Sequence, residues 1–297
     1  MNYMTVLMST YNGEHYLREQ LDSILAQDCG DVFILVRDDG STDRTTEILE
    51  AYKGPQLDWY SGENLRPAQS FMDLVYHAPD SAYYAFADQD DYWYPEKLGA
   101  GIRFLKGLDG PGLWFCRKRI TDENLETLGH GQDMYRENLT AGYSLMKCTV
   151  AGCTMEFNRA LRGKLLQYHP KKIVMHDIWV LLVGLLLGTV GSEDKAYMDY
   201  RQHGGNYWGG EVSRRKQLMN RIQSIPGHAK NRERSDMARE LLQGYGSELS
   251  DRDRIHLERL VRKGFSDRLH LIRSDYYNRE NFVNTLGIKI LILLGWI

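Results

Sequence analysis

Apolar and polar positions alternate in blocks through the first third of the chain. Thr5-Val6-Leu7-Met8 is a strand-like run that gives way to the polar turn Ser9-Thr10-Tyr11-Asn12-Gly13. From Tyr16 to Ala26, Leu17, Leu21, Ile24 and Leu25 recur at i, i+4, i+7 and i+8, which predicts an amphipathic helix. Val32-Phe33-Ile34-Leu35-Val36 is continuously apolar, as a strand covered on both faces would be, and it runs into Arg37-Asp38-Asp39-Gly40-Ser41. A second helix is predicted over Asp43 to Tyr52, closed by Gly54-Pro55, and a short strand over Leu57 to Tyr60. Phe71, Leu74, Val75 and Ala78 mark a third helix before the aromatic run Tyr83-Tyr84-Ala85-Phe86-Ala87. That run stops at Asp88-Gln89-Asp90-Asp91, three carboxylates in four residues.

This β-α alternation predicts an α/β fold with a mostly parallel sheet and right-handed crossovers. Clustered Asp would repel inside a sheet, so the acids belong at the strand's carboxyl end, where open α/β sheets bind ligands. Three strands deliver polar clusters to that one edge: Thr10-Tyr11-Asn12, Asp38-Asp39 and Asp88-Gln89-Asp90. Their convergence predicts a nucleotide site, and carboxylates held this close suit a hard cation such as Mg²⁺ or Mn²⁺. The alternative for the third cluster is an acidic turn leading into Tyr94-Pro95-Glu96-Lys97. No Gly-x-Gly-x-x-Gly comes after the first strand and no Gly-Lys-Ser/Thr loop occurs, which disfavours dinucleotide-binding and P-loop proteins.

Composition adds little until charge is split by region. The 297 residues are 42% hydrophobic and 26% charged with a net charge of −3, an ordinary globular balance. From Glu211 to Glu280, however, 16 Lys/Arg face 11 Asp/Glu, while the rest carries 21 against 29. A basic tail on an acidic body suits an anionic partner, either membrane headgroups or a phosphorylated lipid; a solvated helical face is the plain alternative. Cys29, Cys116, Cys148 and Cys153 give neither a disulfide framework nor a zinc pattern, so free thiols in a reducing cytosol are expected. No basic n-region with a long apolar h-region opens the chain, so no signal peptide is expected, and no apolar run reaches the ~20 residues of a bilayer span.

Leu7-Met8-Ser9-Thr10-Tyr11-Asn12-Gly13, Asp38-Asp39-Gly40-Ser41-Thr42-Asp43 and Phe86-Ala87-Asp88-Gln89-Asp90-Asp91 resemble, in order and separation, the three signatures of family 2 inverting glycosyltransferases. The resemblance covers roughly residues 1 to 205. It implies the GT-A fold, a Rossmann-like mixed sheet, with a UDP- or dTDP-sugar donor and Mn²⁺ or Mg²⁺. The branch it looks most like is bacterial and rhamnosyltransferase-like, building surface polysaccharide on a lipid carrier. Carried over, Thr10, Tyr11, Asn12 and Glu14 would line the nucleoside pocket, and Asp38 or Asp39 would accept the imide N–H of uracil or thymine. Asp88 would approach the ribose, and Asp90 would ligate the metal.

The middle of the chain is less regular. Tyr92, Trp93 and Tyr94 either floor a sugar site or belong to the core, and Leu113-Trp114-Phe115-Cys116 is another expected strand. Asn124 to Asn138 is polar, an expected loop or hairpin near the acceptor. Val150 to Asn158 resembles the family's segment where backbone near Gly152 approaches the donor sugar. Asp177 heads an apolar helix reaching about Leu187, where a carboxylate gains from the helix dipole. The resemblance makes Asp177 the catalytic base, with His176, where Glu is common, either relaying the proton or orienting the site. Tyr200-Arg201-Gln202-His203-Gly204-Gly205-Asn206 looks like the branch's closing motif, with His203 as a second metal ligand, Arg201 on the diphosphate and the glycines in a segment that orders over the donor. The Gln-x-x-Arg-Trp signature of processive synthases is absent, so one sugar per encounter is expected.

Two regions are therefore expected: a GT-A catalytic domain over 1–210 and a basic helical region over 211–297. In the second, Leu218, Ile222 and Ile225 precede a break at Pro226-Gly227, with further helices beyond it. Leu286 to Ile297 is nearly all apolar; as a helix of about 18 Å it is too short to span a bilayer. It is expected to lie in the membrane interface, anchored by Trp296 and the Arg-rich flank, or else to be a buried helix or dimer contact. The expected protein moves one sugar, rhamnose among the candidates, to a glycan or polyprenyl-linked acceptor from the inner face of the cell membrane. No nucleic-acid partner is expected, and a homo-oligomer stays open. A sugar-phosphate nucleotidyltransferase and a non-catalytic scaffold for polysaccharide assembly are the alternatives.

Overall fold

Apolar runs too continuous to be half-exposed strands form the middle of one mixed sheet. A computed structural model describes residues 2–128, 139–203, 232–279 and 281–297. The strands are β1 (Asn2–Thr10), β2 (Val32–Asp38), β3 (Leu57–Ser61), β4 (Ser81–Ala87), β5 (Tyr92–Trp93), β6 (Gly112–Thr121), β7 (Met155–Asn158) and β8 (Thr189–Arg201). They lie in the order β3-β2-β1-β4-β7-β6-β8-β5. The first four are mutually parallel, β7 is antiparallel to both β4 and β6, β6 and β8 are parallel, and β5 is antiparallel to β8. The sheet is therefore mixed, with the parallel half that the alternation predicts.

Helices cover both faces: α1 (Leu17–Leu25), α2 (Thr45–Tyr52), α3 (Arg66–His77), α4 (Lys97–Leu105), α5 (Ala141–Met146), α6 (Arg159–Gln167) and α7 (His176–Leu187). Successive strand residues point to opposite faces, so each strand feeds two cores. Met4, Val6 and Met8 join Ile34 and Val36 under α1 and α2, whereas Leu7, Leu35, Tyr84 and Phe86 join Phe71 and Leu74 of α3 on the other side. Side-chain caps fix two entries: Thr140 Oγ1 accepts from Tyr143 N at the start of α5, and Asn158 Oδ1 accepts from Leu161 N at the start of α6. Trp93 is 1% exposed and belongs to the core, and neither Tyr92 nor Tyr94 lines the main cavity.

The C-terminal helices are α8 (Glu233–Tyr245), α9 (Asp251–Arg262), α10 (Phe265–Arg273) and α11 (Phe282–Leu294). Met237, Leu241, Tyr245, Leu257, Leu260, Ile288 and Ile292 belong to the same apolar cluster as Leu7 and Phe86. This helical layer thus continues the sheet's α3-side core. The last segment has one buried side and one exposed side. Ile288, Ile292 and Ile297 are buried, while Phe282, Val283, Leu286, Ile290, Leu293 and Leu294 face outward. No described helix is long and apolar enough to cross a membrane. Residues 122–128 make a tight return, with Leu128 N donating to Ile120 O at 3.1 Å. The rest of the expected acceptor loop, the glycines after His203, and Leu218, Ile222, Ile225 and Pro226-Gly227 lie outside the described residues.

Candidate functional site

Parallel register brings the ends of three strands level: Thr10 of β1 lies beside Asp38 of β2, and Met8 beside Ala87 of β4. The chain leaving each strand must turn there, and its polar side chains do that work. Asp38 is fully buried; its carboxylate accepts from Thr10 Oγ1 (3.2 Å), Gly40 N (3.1 Å), Ser41 N (2.9 Å) and Ser41 Oγ (2.5 Å). Asn12, in the left-handed region at φ 49°, accepts from Thr42 N at 2.8 Å. Glu14 accepts from Arg44 N and Nε at 3.1 Å each, and the backbone bond first, then the guanidinium, holds its carboxyl below the usual range. Gln89 ties the two loops together, accepting from Tyr11 N at 2.9 Å and donating to Tyr11 O at 3.1 Å. Gly13 permits this approach, because a Cβ there would fall 2.3 Å from Gln89 Oε1.

These loops border a cavity of about 880 Å³. Tyr11, Asp39, Asp88, Asp90, His176 and Asp177 line it; Thr10, Asn12, Glu14 and Asp38 do not. Of the expected nucleoside-lining set, Tyr11 and Asp39 border this cavity. Thr10, Asn12, Glu14 and Asp38 hold together the loops that present them. Asp39 is held by Arg37 and by Ser70 Oγ at 2.9 Å, leaving Oδ2, which no described residue hydrogen-bonds.

The acids after β4 crowd one another. Burial pushes Asp88 up to about 7, with the Asp90 charge adding to the shift and Lys118 opposing it. Burial, then Asp88 and Asp90, raises Asp91 well above the usual carboxylate range, and its Oδ2 is buried without a partner. His203 Nε2 lies 2.9 Å from Asp90 Oδ2, so the two expected metal ligands stand together. Asp88, Asp91 and Cys153 also bring ligand atoms within 4.8 Å of one another, but burial keeps the Cys153 thiol protonated, a poor donor for a hard ion. Carboxylate oxygens facing a cavity fit a hard divalent cation, which the Asp90–His203 pair would hold.

Asp177 lies in the first turn of α7, whose cap residue is Met175, and its Oδ1 accepts from Ile178 N at 2.6 Å. Burial raises its pKa to about 6. Two expected roles fall away. His176 is 3% exposed, stacked on Phe71 at 4.0 Å between ring centroids and edge-on to Phe86 at 4.9 Å. Burial pushes its pKa down to about 3, and among the described residues neither ring nitrogen has a hydrogen-bond partner. It stays neutral and packs; a Cβ at Gly152 would lie 2.4 Å from its Nε2. Proton relay is therefore replaced by positioning of α7 against Gly152. Arg201 is also only 3% exposed: it donates to Asp90 O (2.9 Å), Glu123 O and Glu19, and covers the Tyr16 ring. It braces the acidic loop from behind and does not line the cavity.

Lys118 of β6 does line the cavity, and sequence reasoning missed it. Its ammonium lies 3.4 Å from the Tyr200 ring centroid, and its charge opposes the upward shifts of Asp88, Asp91 and Asp177.

A mixed sheet whose strand ends gather acids around one cavity is the architecture of a nucleotide-sugar transferase. The chain belongs to glycosyl transferase family 2, whose sequence model matches residues 5–168. It is 25% identical over 205 residues to an uncharacterized glycosyltransferase of Rickettsia typhi, covering 67% of this chain and 64% of that one. It is 38% identical over 108 residues to the dTDP-rhamnosyl transferase RfbG of Shigella flexneri, covering 33% of this chain and 36% of the other. The chain thus spans less than two thirds of the length of these curated relatives. The crystal structure of S. aureus TarS 1-349 in complex with UDP-GlcNAc superposes with a TM-score of 0.62 at 20% identity, covering 98% of this chain and 81% of that one. That likeness establishes the GT-A fold.

The division of labour between neighbouring acids is testable. Asp38→Ala leaves these four donors, and Ser61 Oγ at 3.4 Å, without their acceptor and should cost about 3 kcal/mol in denaturant unfolding. A variant as stable as the parent would contradict the loop-building role.

Proposed function

We propose that the protein is an inverting, metal-dependent glycosyltransferase that moves one sugar from a UDP- or dTDP-sugar to a hydroxyl of a lipid-linked or polysaccharide acceptor. The observation that carries this is the meeting of Asp39, Asp88, Asp90 and Asp177, drawn from two loops and one helix, around a single cavity. RfbG is named for a dTDP-sugar and TarS was solved with UDP-GlcNAc, which supports a pyrimidine nucleotide donor and leaves rhamnose among the candidate sugars.

Asp39, fixed by Arg37 and Ser70, offers a carboxylate oxygen to the imide N–H of the base, and Tyr11 covers the nucleoside. Asp90 and His203 would hold the divalent ion, whose positive charge would be supplied against the diphosphate, and Asp88 would approach the ribose. Asp177 accepts the proton of the acceptor hydroxyl as its oxygen bonds the anomeric carbon and the bond to the nucleoside diphosphate breaks. One displacement inverts that centre. A base with a pKa of about 6 suits this work, being ionised at neutral pH and still basic. The outward apolar face of α11, with Phe265 exposed at the start of α10, supports contact with the membrane that carries such an acceptor.

Asp177→Asn should keep nucleotide binding and lose transfer by about 10³-fold or more. In the parent, kcat should fall as pH drops through about 6, because protonation disables the base; a flat profile from pH 5 to 8 would contradict the assignment. Asp90→Ala should abolish the gain in UDP or dTDP affinity that Mn²⁺ produces; equal affinity with and without Mn²⁺ in the parent would remove the metal from the account. Sedimentation with anionic phospholipid vesicles should capture the parent, and Phe282→Glu/Leu286→Glu should release it; equal pelleting of both would rule out α11 as the contact.

A further inference from the structure

A second cleft, of about 600 Å³, lies between α9 and α10 and shares no lining residue with the cavity at the strand ends. Only Lys263 and Gly264 join the two helices, so they fold back on each other, with Lys263 in the left-handed region at φ 56°. His256 and Arg259 come from α9, while Ser266, His270 and Arg273 recur at i, i+4 and i+7 along one face of α10. Among the described residues no carboxylate lines the cleft. We propose that it is a binding site for a phosphomonoester dianion, with Arg259 and Arg273 supplying the charge and His270 and Ser266 further hydrogen bonds. This site is independent of the transfer reaction and goes beyond it.

The arginines of α9 are not alike. Arg252 pairs with Asp275 at 2.8 Å, Arg254 with Asp251 at 2.5 Å and Arg262 with Glu258 at 2.6 Å. Arg259 has no ion pair or side-chain hydrogen bond among the described residues, and neither does Arg273 on the facing helix. The acids beside them in sequence, Glu258 and Asp275, are the ones already holding Arg262 and Arg252. Two uncompensated guanidinium groups bordering one cleft repel each other, and a bound dianion removes that repulsion. Each guanidinium presents a planar fork that matches phosphate oxygens, and the pair matches two negative charges where a carboxylate brings one.

The back of the cleft is already built. Arg252 O can only accept, so His256 Nδ1, 2.7 Å from it, carries the ring proton and Nε2 accepts from Ser274 Oγ at 2.8 Å. Ser274 Oγ accepts in turn from Tyr276 N at 3.1 Å, and Tyr276 stacks on the His256 ring with 4.3 Å between centroids. Burial lowers the His256 pKa, which keeps that ring neutral. His256 and Ser274 are therefore spent as a rigid wall, and the groups left to meet a ligand are the two arginines, His270 and Ser266. A soluble sugar phosphate and a phosphatidate headgroup offer the same phosphomonoester, so the experiment separates them.

The full chain is titrated with glycerol 3-phosphate and with glycerate, with EDTA present so that no metal draws phosphate to the acidic cavity. In parallel it is sedimented with phosphatidylcholine vesicles carrying either phosphatidate or phosphatidylglycerol at equal surface charge, to which the apolar face of α11 contributes alike. Glycerol 3-phosphate binding at least ten times tighter than glycerate assigns a soluble ligand; capture by phosphatidate in preference to phosphatidylglycerol assigns a headgroup. In either case Arg259→Gln and Arg273→Gln should each reduce that preference about tenfold or more, with UDP affinity in Mn²⁺ unchanged. Arg273 is exposed and Arg259 half-buried, so the first variant remains informative if the second melts early. No preference for the phosphomonoester in either format, a preference that survives both substitutions, or a parallel loss of UDP affinity would each overturn the proposal.

Discussion

Negative charge that the protein does not neutralise is what the site depends on. Parallel register sets the ends of β1, β2 and β4 side by side, so the loops that leave them must share one small volume. Those loops carry Asp39, Asp88, Asp90 and Asp91, and beside them Lys118 offsets only part of the repulsion. Burial makes this charge more expensive still, as the upward shifts of Asp88 and Asp91 show. Such a cluster persists in a folded protein when the rest of the structure holds it. Here Arg201 braces Asp90 from behind, Gln89 clasps Tyr11, and Asp38 gathers the Gly40-Ser41 turn.

The second half of the chain answers the first. The sheet face that carries Leu7 and Phe86 is covered by α3 and α7 and then by the C-terminal helices, one continuous apolar cluster. Through this layer the start of α8 reaches the same cavity as the loop after β4. His176 packs between Phe71 and Phe86 in the first turn of α7, beside Asp177.

Much of this was legible in the sequence, for physical reasons. Val32–Val36 and Tyr83–Ala87 read as buried strands because both faces of each are covered, and the acids after them could only stand at an edge. Asp38 and Asp39 were indistinguishable, since which of two adjacent carboxylates turns inward depends on hydrogen bonds from Thr10 and Ser41 made only in the fold. Arg201 was misplaced because its partners, Glu19 and the carbonyls of Asp90 and Glu123, come from distant segments. Lys118 carried no local signature; it matters through what the topology sets opposite it.

The most direct measurement is anomalous diffraction from crystals grown with Mn²⁺ and UDP or dTDP. The account predicts a manganese peak within bonding distance of the Asp90 carboxylate and the His203 ring, adjoining the nucleotide's diphosphate. A nucleotide bound with no manganese there, or manganese seated between Asp91 and Cys153 and away from the phosphates, would contradict it.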